Sequence, residues 1–123
     1  MRSSIFQLLF PFLLIMLSPA LEAIHFEKQV RPILKKHCFK CHGEKKQKGD
    51  LRLDTLSGDL SKDRVAAEAW HDVRNALNLS EMPPKKEDSL LPAELRTVTS
   101  WITQEIDALV ASQKGTGGRI VLR

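Results

Sequence analysis

The chain has 123 residues, a formal net charge of +4 and only two cysteines. This length provides for one small domain once an N-terminal leader is set aside. The charge is mildly basic, but the sequence has no long Lys/Arg run and no basic patch interleaved with aromatic residues. Nucleic-acid binding is therefore not predicted.

Residues 1–23 have the pattern of a secretory signal peptide. Arg2 supplies the positive charge, Ile5 to Leu17 form an apolar run, and small residues follow up to Ala20 and Ala23. The run is shorter than the ~20 apolar residues of a membrane span, so we expect membrane attachment only if the signal stays uncleaved. The predicted location is periplasmic or secreted, where thiols meet an oxidising environment.

Both cysteines lie in the segment Cys38-Phe39-Lys40-Cys41-His42, which has the C-x-x-C-H pattern of c-type haem attachment. Two thiols at this spacing can form thioethers with the vinyl groups of one porphyrin. The histidine directly after them can present a ring nitrogen to the iron. The pattern predicts Cys38 and Cys41 as the haem thioethers and His42 as the proximal iron ligand.

Three other interpretations of these residues are open. A disulfide between Cys38 and Cys41 would close a very short loop, where strain is high and the stabilisation small. A thioredoxin-like redox pair requires a βαβ context, which the sequence does not show. A structural zinc site needs two further ligands, and no second C-x-x-C or H-x-H cluster supplies them. Export to an oxidising compartment favours haem.

The first structured element runs from Phe26 to His37, where apolar residues recur at helical spacing. Pro32 interrupts this pattern, so the regular helix is predicted to begin near Arg31 and to continue into the haem motif. We expect this helix to pack on the C-terminal helix.

The segment Gly49 to Asp54 alternates polar and apolar residues, which predicts an extended segment with Leu51 and Leu53 on one face. It is expected to form a wall of the haem pocket, with Arg52 or a nearby lysine close to a haem propionate. The alternative is a loop that only covers the core.

Two further helices are predicted, from Arg64 to Leu79 and from Pro92 to Ser112. Ser61 or Asp63 is suited to cap the first of them. The fold class predicted is therefore all-α, a small domain of about three helices at residues 24–112 around one covalently bound haem. Residues 113–123 are predicted to be a linker and the truncated start of a further domain.

Met82 is the only methionine that follows the predicted signal peptide. Pro83 and Pro84 stiffen the backbone after it, and a lone methionine most often fills a core. A thioether on a rigid loop also suits the sixth position of a haem iron. Met82 is predicted as the distal iron ligand, and His71 is the main rival because its helix leads into this loop.

Six lysines lie close to the haem motif in sequence: Lys35, Lys36, Lys40, Lys45, Lys46 and Lys48. A cluster of positive charge at a redox site attracts an acidic surface of a redox protein. We therefore expect an acidic redox partner. The alternative is a solvated basic face that binds no partner.

The chain resembles the planctomycete-type cytochrome c domain, a small class I-like c-type cytochrome. The matching residues run from Phe26 to Leu109 and include Pro32-Ile33-Leu34, Cys38, Cys41-His42-Gly43, Lys48 to Asp54, Trp70, Met82-Pro83-Pro84 and Trp101-Ile102. The resemblance implies one haem c attached at Cys38 and Cys41, with iron bound by His42 and Met82. It implies an electron carrier without catalytic residues. The alternative function is an electron-entry module of a larger secreted oxidoreductase with downstream catalytic domains.

Overall fold

The computed structural model describes residues 22–114. The predicted signal peptide up to residue 21 and the predicted linker from residue 115 lie outside this range. The described part contains a π-helical turn, three α-helices, a hairpin of two short strands and a 3-10 turn. Their bounds are Phe26–Val30 (π turn), Arg31–His37 (α1), His42–Gly43 (β1), Lys46–Gln47 (β2), Lys48–Asp50 (3-10 turn), Arg64–Asn78 (α2) and Pro92–Lys114 (α3). The three predicted helices are confirmed, and the hairpin was not predicted.

Pro32 explains why the first element changes geometry at Arg31. Proline has no N–H to donate to the preceding turn, so it is tolerated only where a helix starts. The residues before it form a π turn, in which the N–H of Arg31 bonds the carbonyl of Phe26, and α1 follows with Pro32 in its first turn. The predicted start of the regular helix near Arg31 is confirmed.

The helix α2 begins at a predicted cap. The Asp63 carboxylate accepts the N–H of Ala66 at 2.9 Å and so satisfies one of the free donors at the start of α2. Ala66 is buried whereas Val65 is 76% exposed, so the apolar stripe of α2 passes through the alanine. The α3 helix extends two residues beyond the predicted end at Ser112.

Three aromatic rings lie where the helical elements meet. Phe26 contacts Trp101 at 4.7 Å and Trp70 at 5.8 Å between ring centroids, and the two tryptophans meet edge to face at 5.0 Å. The indole N–H of Trp70 donates to the carbonyl of Ser57 at 2.7 Å, which satisfies a buried polar group. The π turn thus packs on α3, as expected of the first element.

None of the helices within residues 22–114 combines the length and the apolar character that crossing a membrane requires.

Candidate functional site

The attachment segment, Cys38 to His42, continues directly from the end of α1. The Cys38 N–H donates to the carbonyl of Leu34 at 2.7 Å, which carries the helical pattern one residue past His37. The Cys38 carbonyl then accepts the N–H groups of Cys41 at 3.1 Å and His42 at 2.9 Å. The two cysteines and the histidine therefore lie on one tight turn, as haem attachment requires.

The hairpin and the chain after it fasten the other side of this turn. The N–H of Leu53 donates to the carbonyl of His42 at 2.8 Å, and the N–H of Lys48 donates to the carbonyl of Cys41 at 2.9 Å. His42 pairs with Gln47 across β1 and β2. These contacts fix the backbone of the attachment segment through residues that follow it in the chain.

Gly43 is buried directly behind this turn. A Cβ at this position would overlap the carbonyl oxygen of Phe39, which belongs to the attachment segment. Because this obstacle is backbone, it cannot rotate away as a flexible side chain would. Glycine is therefore required at position 43 for steric reasons.

We expect Gly43→Ala to destabilise the protein by about 1–3 kcal/mol, the usual cost of forced overpacking, and to lower the yield of haem-loaded protein. Thermal unfolding and the ratio of haem to protein measure the two effects. Gly49→Ala is the matched control, because Gly49 has a φ of 63° but open space around its missing Cβ. It should cost only the roughly 1–2 kcal/mol of a left-handed backbone. Equal haem loading in the two variants would contradict the steric role of Gly43.

One cleft collects the residues that the sequence predicts for the site. It is lined by Cys38, Cys41 and His42 of the attachment segment, and by Met82 with the two prolines that follow it. The Met82 loop, residues 79–91, connects α2 to α3. The thiols, the imidazole and the thioether thus border the same space, although Met82 lies forty residues beyond His42 in sequence.

The remaining walls of the cleft are largely apolar. Leu51 and Leu53 form one side, which agrees with their predicted place in a pocket wall; Val73, Ala76 and Leu77 of α2 form another. Leu51 has extended backbone, but the residues directly before it form the 3-10 turn. An apolar cleft with a few polar groups is the usual environment of a bound cofactor.

The expected contact between Arg52 and a propionate is not supported. Arg52 is absent from the cleft lining, and its guanidinium forms a two-point ion pair with Asp54, with Nε at 3.0 Å from Oδ1. This ion pair lowers the pKa of Asp54 below its usual value. Lys40 and Lys48 are the lysines that line the cleft.

The donor groups of the cleft suit a covalently held haem. Among the described residues, Nδ1 of His42 is the one buried side-chain polar atom without a hydrogen-bond partner. A buried ring nitrogen of this kind is not explained by hydrogen bonding within the chain. Both cysteines have free thiols, and burial raises the pKa of Cys38 to about 11. Two free thiols, an imidazole and a thioether on one apolar cleft match the set that haem c needs.

A zinc site receives no support from this arrangement. Within residues 22–114, no three side chains of His, Cys, Asp or Glu are grouped so that they could hold a metal ion. Cys38, Cys41 and His42 are therefore not grouped as the ligands of a closed tetrahedral site.

The histidines that could replace Met82 as the distal iron ligand have partners elsewhere in the chain. His71 does not line the cleft, and its ring lies 3.5 Å from Asp72 and 3.4 Å from the amide nitrogen of Asn75. His37 does line the cleft, but its Nε2 lies 3.0 Å from the Glu94 carboxylate. Met82 is 40% exposed, which argues against the alternative of a methionine that fills the core.

Arg31, at the start of α1, contacts the attachment segment. Its guanidinium donates to the carbonyl of Asp54 at 2.9 Å and lies 5.9 Å from the ring centre of Phe39. It therefore connects the segment to the chain that forms the cleft wall. The sequence indicated only that the regular helix begins near Arg31, because both partners of its side chain depend on tertiary contacts.

Glu94 connects α1 to the start of α3 and was also missed by sequence reasoning. It accepts the N–H of Leu91 at 2.9 Å, as the acid of a capping box does. The same carboxylate pairs with Lys36 at 3.0 Å and contacts His37 of the cleft wall. The backbone bond and the lysine lower the pKa of Glu94 to about 2.

We expect Glu94→Gln to lower the melting temperature of the haem-loaded protein by a few degrees near neutral pH. The folded-state pKa of Glu94 is depressed from 4.5 to about 2. Its contribution to stability is therefore complete above pH 4.5 and is lost as the pH falls toward 2. The difference between wild type and variant should shrink across that interval. The exposed Glu68, which pairs with Arg64 at 3.6 Å, provides the control variant Glu68→Gln. A difference that stays constant down to pH 2 would contradict this role.

Comparison with known proteins identifies one family. Residues 38–86 match the family model described as planctomycete cytochrome C. This match begins at the first cysteine of the attachment segment and includes Met82. No curated protein matches the chain significantly. No solved structure does so either.

Several conclusions follow from this family at a general level. It indicates a c-type cytochrome role, with haem c as the cofactor and electron carrying rather than catalysis as the function. The predicted resemblance is confirmed over the segment that carries the haem motif, its pocket wall and the methionine loop. Residues 38–86 thus match the planctomycete cytochrome C family, which agrees with the predicted resemblance.

Proposed function

We propose that this chain is an exported c-type cytochrome that binds one haem c and carries single electrons. The observation that carries the proposal is the meeting of Cys38, Cys41, His42 and Met82 around one apolar cleft. Cys38 and Cys41 would hold the cofactor through thioethers, and His42 and Met82 would bind its iron from the two sides. When bound, haem supplies a reversible one-electron couple at its iron.

The chain's own residues perform the tasks that remain. The attachment segment holds both thiols and the imidazole on one turn, so the cofactor has a single orientation. The leucines of the wall and the apolar side chains of α2 keep water from the buried part of the cleft, which affects the potential of the iron. If His42 and Met82 both hold the iron, no coordination position would stay open for a substrate. This supports an electron carrier over an enzyme.

The experiment is expression of the full chain in cells that mature c-type cytochromes. We expect export, loss of the leader, and an intact mass under denaturing conditions that includes one haem. The purified protein should then take up and release one electron reversibly in a potentiometric titration. A mass without haem from competent cells would overturn the proposal.

The electron-entry module of a larger oxidoreductase is the alternative, and it would use this same cleft. It differs in having a catalytic partner domain that accepts the electrons. Steady-state assays carried out with the catalytic partner domain present would distinguish the electron-entry module from an independent carrier.

We propose an acidic redox protein as the partner. Of the six lysines near the site, Lys36 pairs with Glu94 and Lys40 pairs with Glu87 at 2.7 Å, so part of the charge is neutralised within the chain. The other four are exposed, and none forms an ion pair within the described residues: Lys35, Lys45, Lys46 and Lys48. Lys48 also lines the cleft.

We expect oxidation of the ferrous protein by anionic hexacyanoferrate(III) to slow as salt is added, because steering by exposed charge is screened when the Debye length falls from ~30 to ~8 Å. Lys46→Gln should weaken this dependence. The control Arg64→Gln removes a charge at the end of α2 opposite to its cleft-lining residues. Stopped-flow rates at several ionic strengths are the measurement. If the control and the lysine variant show the same salt dependence of the rate, the positive charge acts only as a net charge. The proposal that an acidic partner binds at these lysines is then wrong.

A further inference from the structure

A single ion pair joins the two segments that border the cleft. Lys40 lies inside the attachment segment, and its Nζ is 2.7 Å from the Glu87 carboxylate of the Met82 loop. Among the hydrogen bonds and ion pairs of residues 22–114, this is the contact that bridges the attachment segment and the loop. Both side chains line the cleft that also contains Met82.

The Met82 loop is anchored by its backbone at its start. The N–H groups of Glu81 and Met82 both donate to the carbonyl of Ala76, at 2.9 and 3.3 Å. Ala76 lies in the last turns of α2, and its side chain belongs to the cleft wall. The first half of the loop is therefore fixed to α2.

The second half of the loop depends on Glu87. The N–H of Glu87 donates to the carbonyl of Pro84 at 2.8 Å, which closes a turn directly after the two prolines. This turn places the Glu87 side chain, 26% exposed, against Lys40. Met82 lies at the first anchor, five residues before Glu87, and its side chain is 40% exposed, so core packing does little to hold it.

Each member of this ion pair stabilises the charged form of the other. The hydrogen bond to Lys40 lowers the pKa of Glu87, and the hydrogen bond to Glu87 raises the pKa of Lys40. The Lys40 side chain is 74% exposed, so water and salt weaken the attraction. The contact is therefore one that can open without disturbing the core.

We propose that Lys40 and Glu87 are positioning residues that clamp the Met82 loop to the attachment segment and so determine how firmly Met82 stays bound to the iron. The proposal rests on the proposed function, because it requires Met82 to be an iron ligand. It adds that Lys40, the charged residue between the two cysteines of the C-x-x-C-H motif, controls the strength of the bond between Met82 and the iron.

Competition with imidazole for the sixth iron position tests the clamp. The oxidised, haem-loaded protein is titrated with imidazole while the sulfur-to-iron charge-transfer band in the near infrared is followed. Glu87→Gln and Lys40→Gln should each bind imidazole roughly two- to fivefold more tightly than wild type, the factor that corresponds to loss of an exposed ion pair. Added salt should raise imidazole affinity in wild type but have little effect on the two variants.

Two further variants make the test specific. The exchange of charges, Lys40→Glu together with Glu87→Lys, should restore affinity close to that of wild type, which a general effect on folding or haem maturation would not do. Lys85→Gln removes another positive charge from the same loop and should leave imidazole affinity unchanged.

The outcomes separate this proposal from the one on which it rests. A wild-type protein without the charge-transfer band would show that the ligand assignment of Met82 is wrong. A band in wild type, together with unchanged imidazole affinity in Glu87→Gln and Lys40→Gln, would overturn the clamp alone. An equal effect of Lys85→Gln would also overturn it, because the change would then follow from net charge.

Discussion

Replacing Met82 with alanine should leave the haem attached to the chain but change the state of its iron. The proposed thioethers at Cys38 and Cys41 and the proposed iron ligand His42 do not depend on the methionine. Loss of the sulfur should open the sixth position, shift the oxidised iron toward high spin and allow carbon monoxide to bind the reduced form. The potential should fall by about 0.1 V or more, within the ~0.8 V range over which axial ligands act, because a soft thioether favours ferrous iron.

The structure indicates that this substitution should leave the fold intact. Met82 is 40% exposed, so its truncation leaves no buried cavity in the core. Its N–H bond to the carbonyl of Ala76 is a backbone contact that alanine can keep. The measurements are the near-infrared band, the spin state from the visible spectrum, and the midpoint potential.

His71→Ala is the matched control for the ligand assignment. His71 does not line the cleft, so its removal should leave the near-infrared band and the potential unchanged. If Met82→Ala leaves the spectrum of the wild type intact and His71→Ala alters it, the predicted distal ligand is wrong.

Replacing the cysteines should have the largest effect on cofactor retention. Cys38→Ala or Cys41→Ala leaves at most one thioether, and we expect the yield of covalently loaded protein to fall by at least tenfold, with complete loss in the double variant. A small domain that depends on its cofactor should also unfold more easily, because a group that binds only the folded state stabilises it by mass action. Intact mass under denaturing conditions measures covalent attachment directly.

The two cysteines should differ in a secondary effect. Cys38 packs against the core, whereas Cys41 is not among the residues in contact with it. Cys38→Ala should therefore carry an additional packing cost of about 1 kcal/mol or less, since one sulfur is removed. Met82→Ala, which keeps both thiols, is the control for maturation. Full covalent loading of the double cysteine variant would contradict the attachment sites.

The helices were predictable because their signals are local. Periodic apolar residues, a capping aspartate at position 63 and prolines at positions 32 and 92 act within a few residues of their own position. The hairpin at residues 42–47 was missed because each strand has only two residues, too few for an alternating pattern. The pocket wall was predicted at Leu51 and Leu53, but the ion pair of Arg52 with Asp54 on the same segment was not predicted.

The sequence by itself was enough to predict the chemistry of the candidate site. The spacing of Cys38, Cys41 and His42 places the three predicted cofactor-binding groups on one turn whatever the rest of the chain does, because helical geometry is local. Met82 could be singled out because no other methionine follows the predicted signal peptide and two prolines stiffen its loop. These inferences need no knowledge of which elements pack together.

Only the tertiary structure decided how these groups meet and what holds them in place. Met82 reaches the cleft because α2 delivers its loop there, and the contacts of Lys40 with Glu87 and of His37 with Glu94 span 47 and 57 residues. Acidic residues of this kind look alike in sequence, since nearly all of them are solvated. Packing of α3 on α2 and on the π turn selects which of them face the site, and that selection depends on distances across the core rather than on neighbours along the chain.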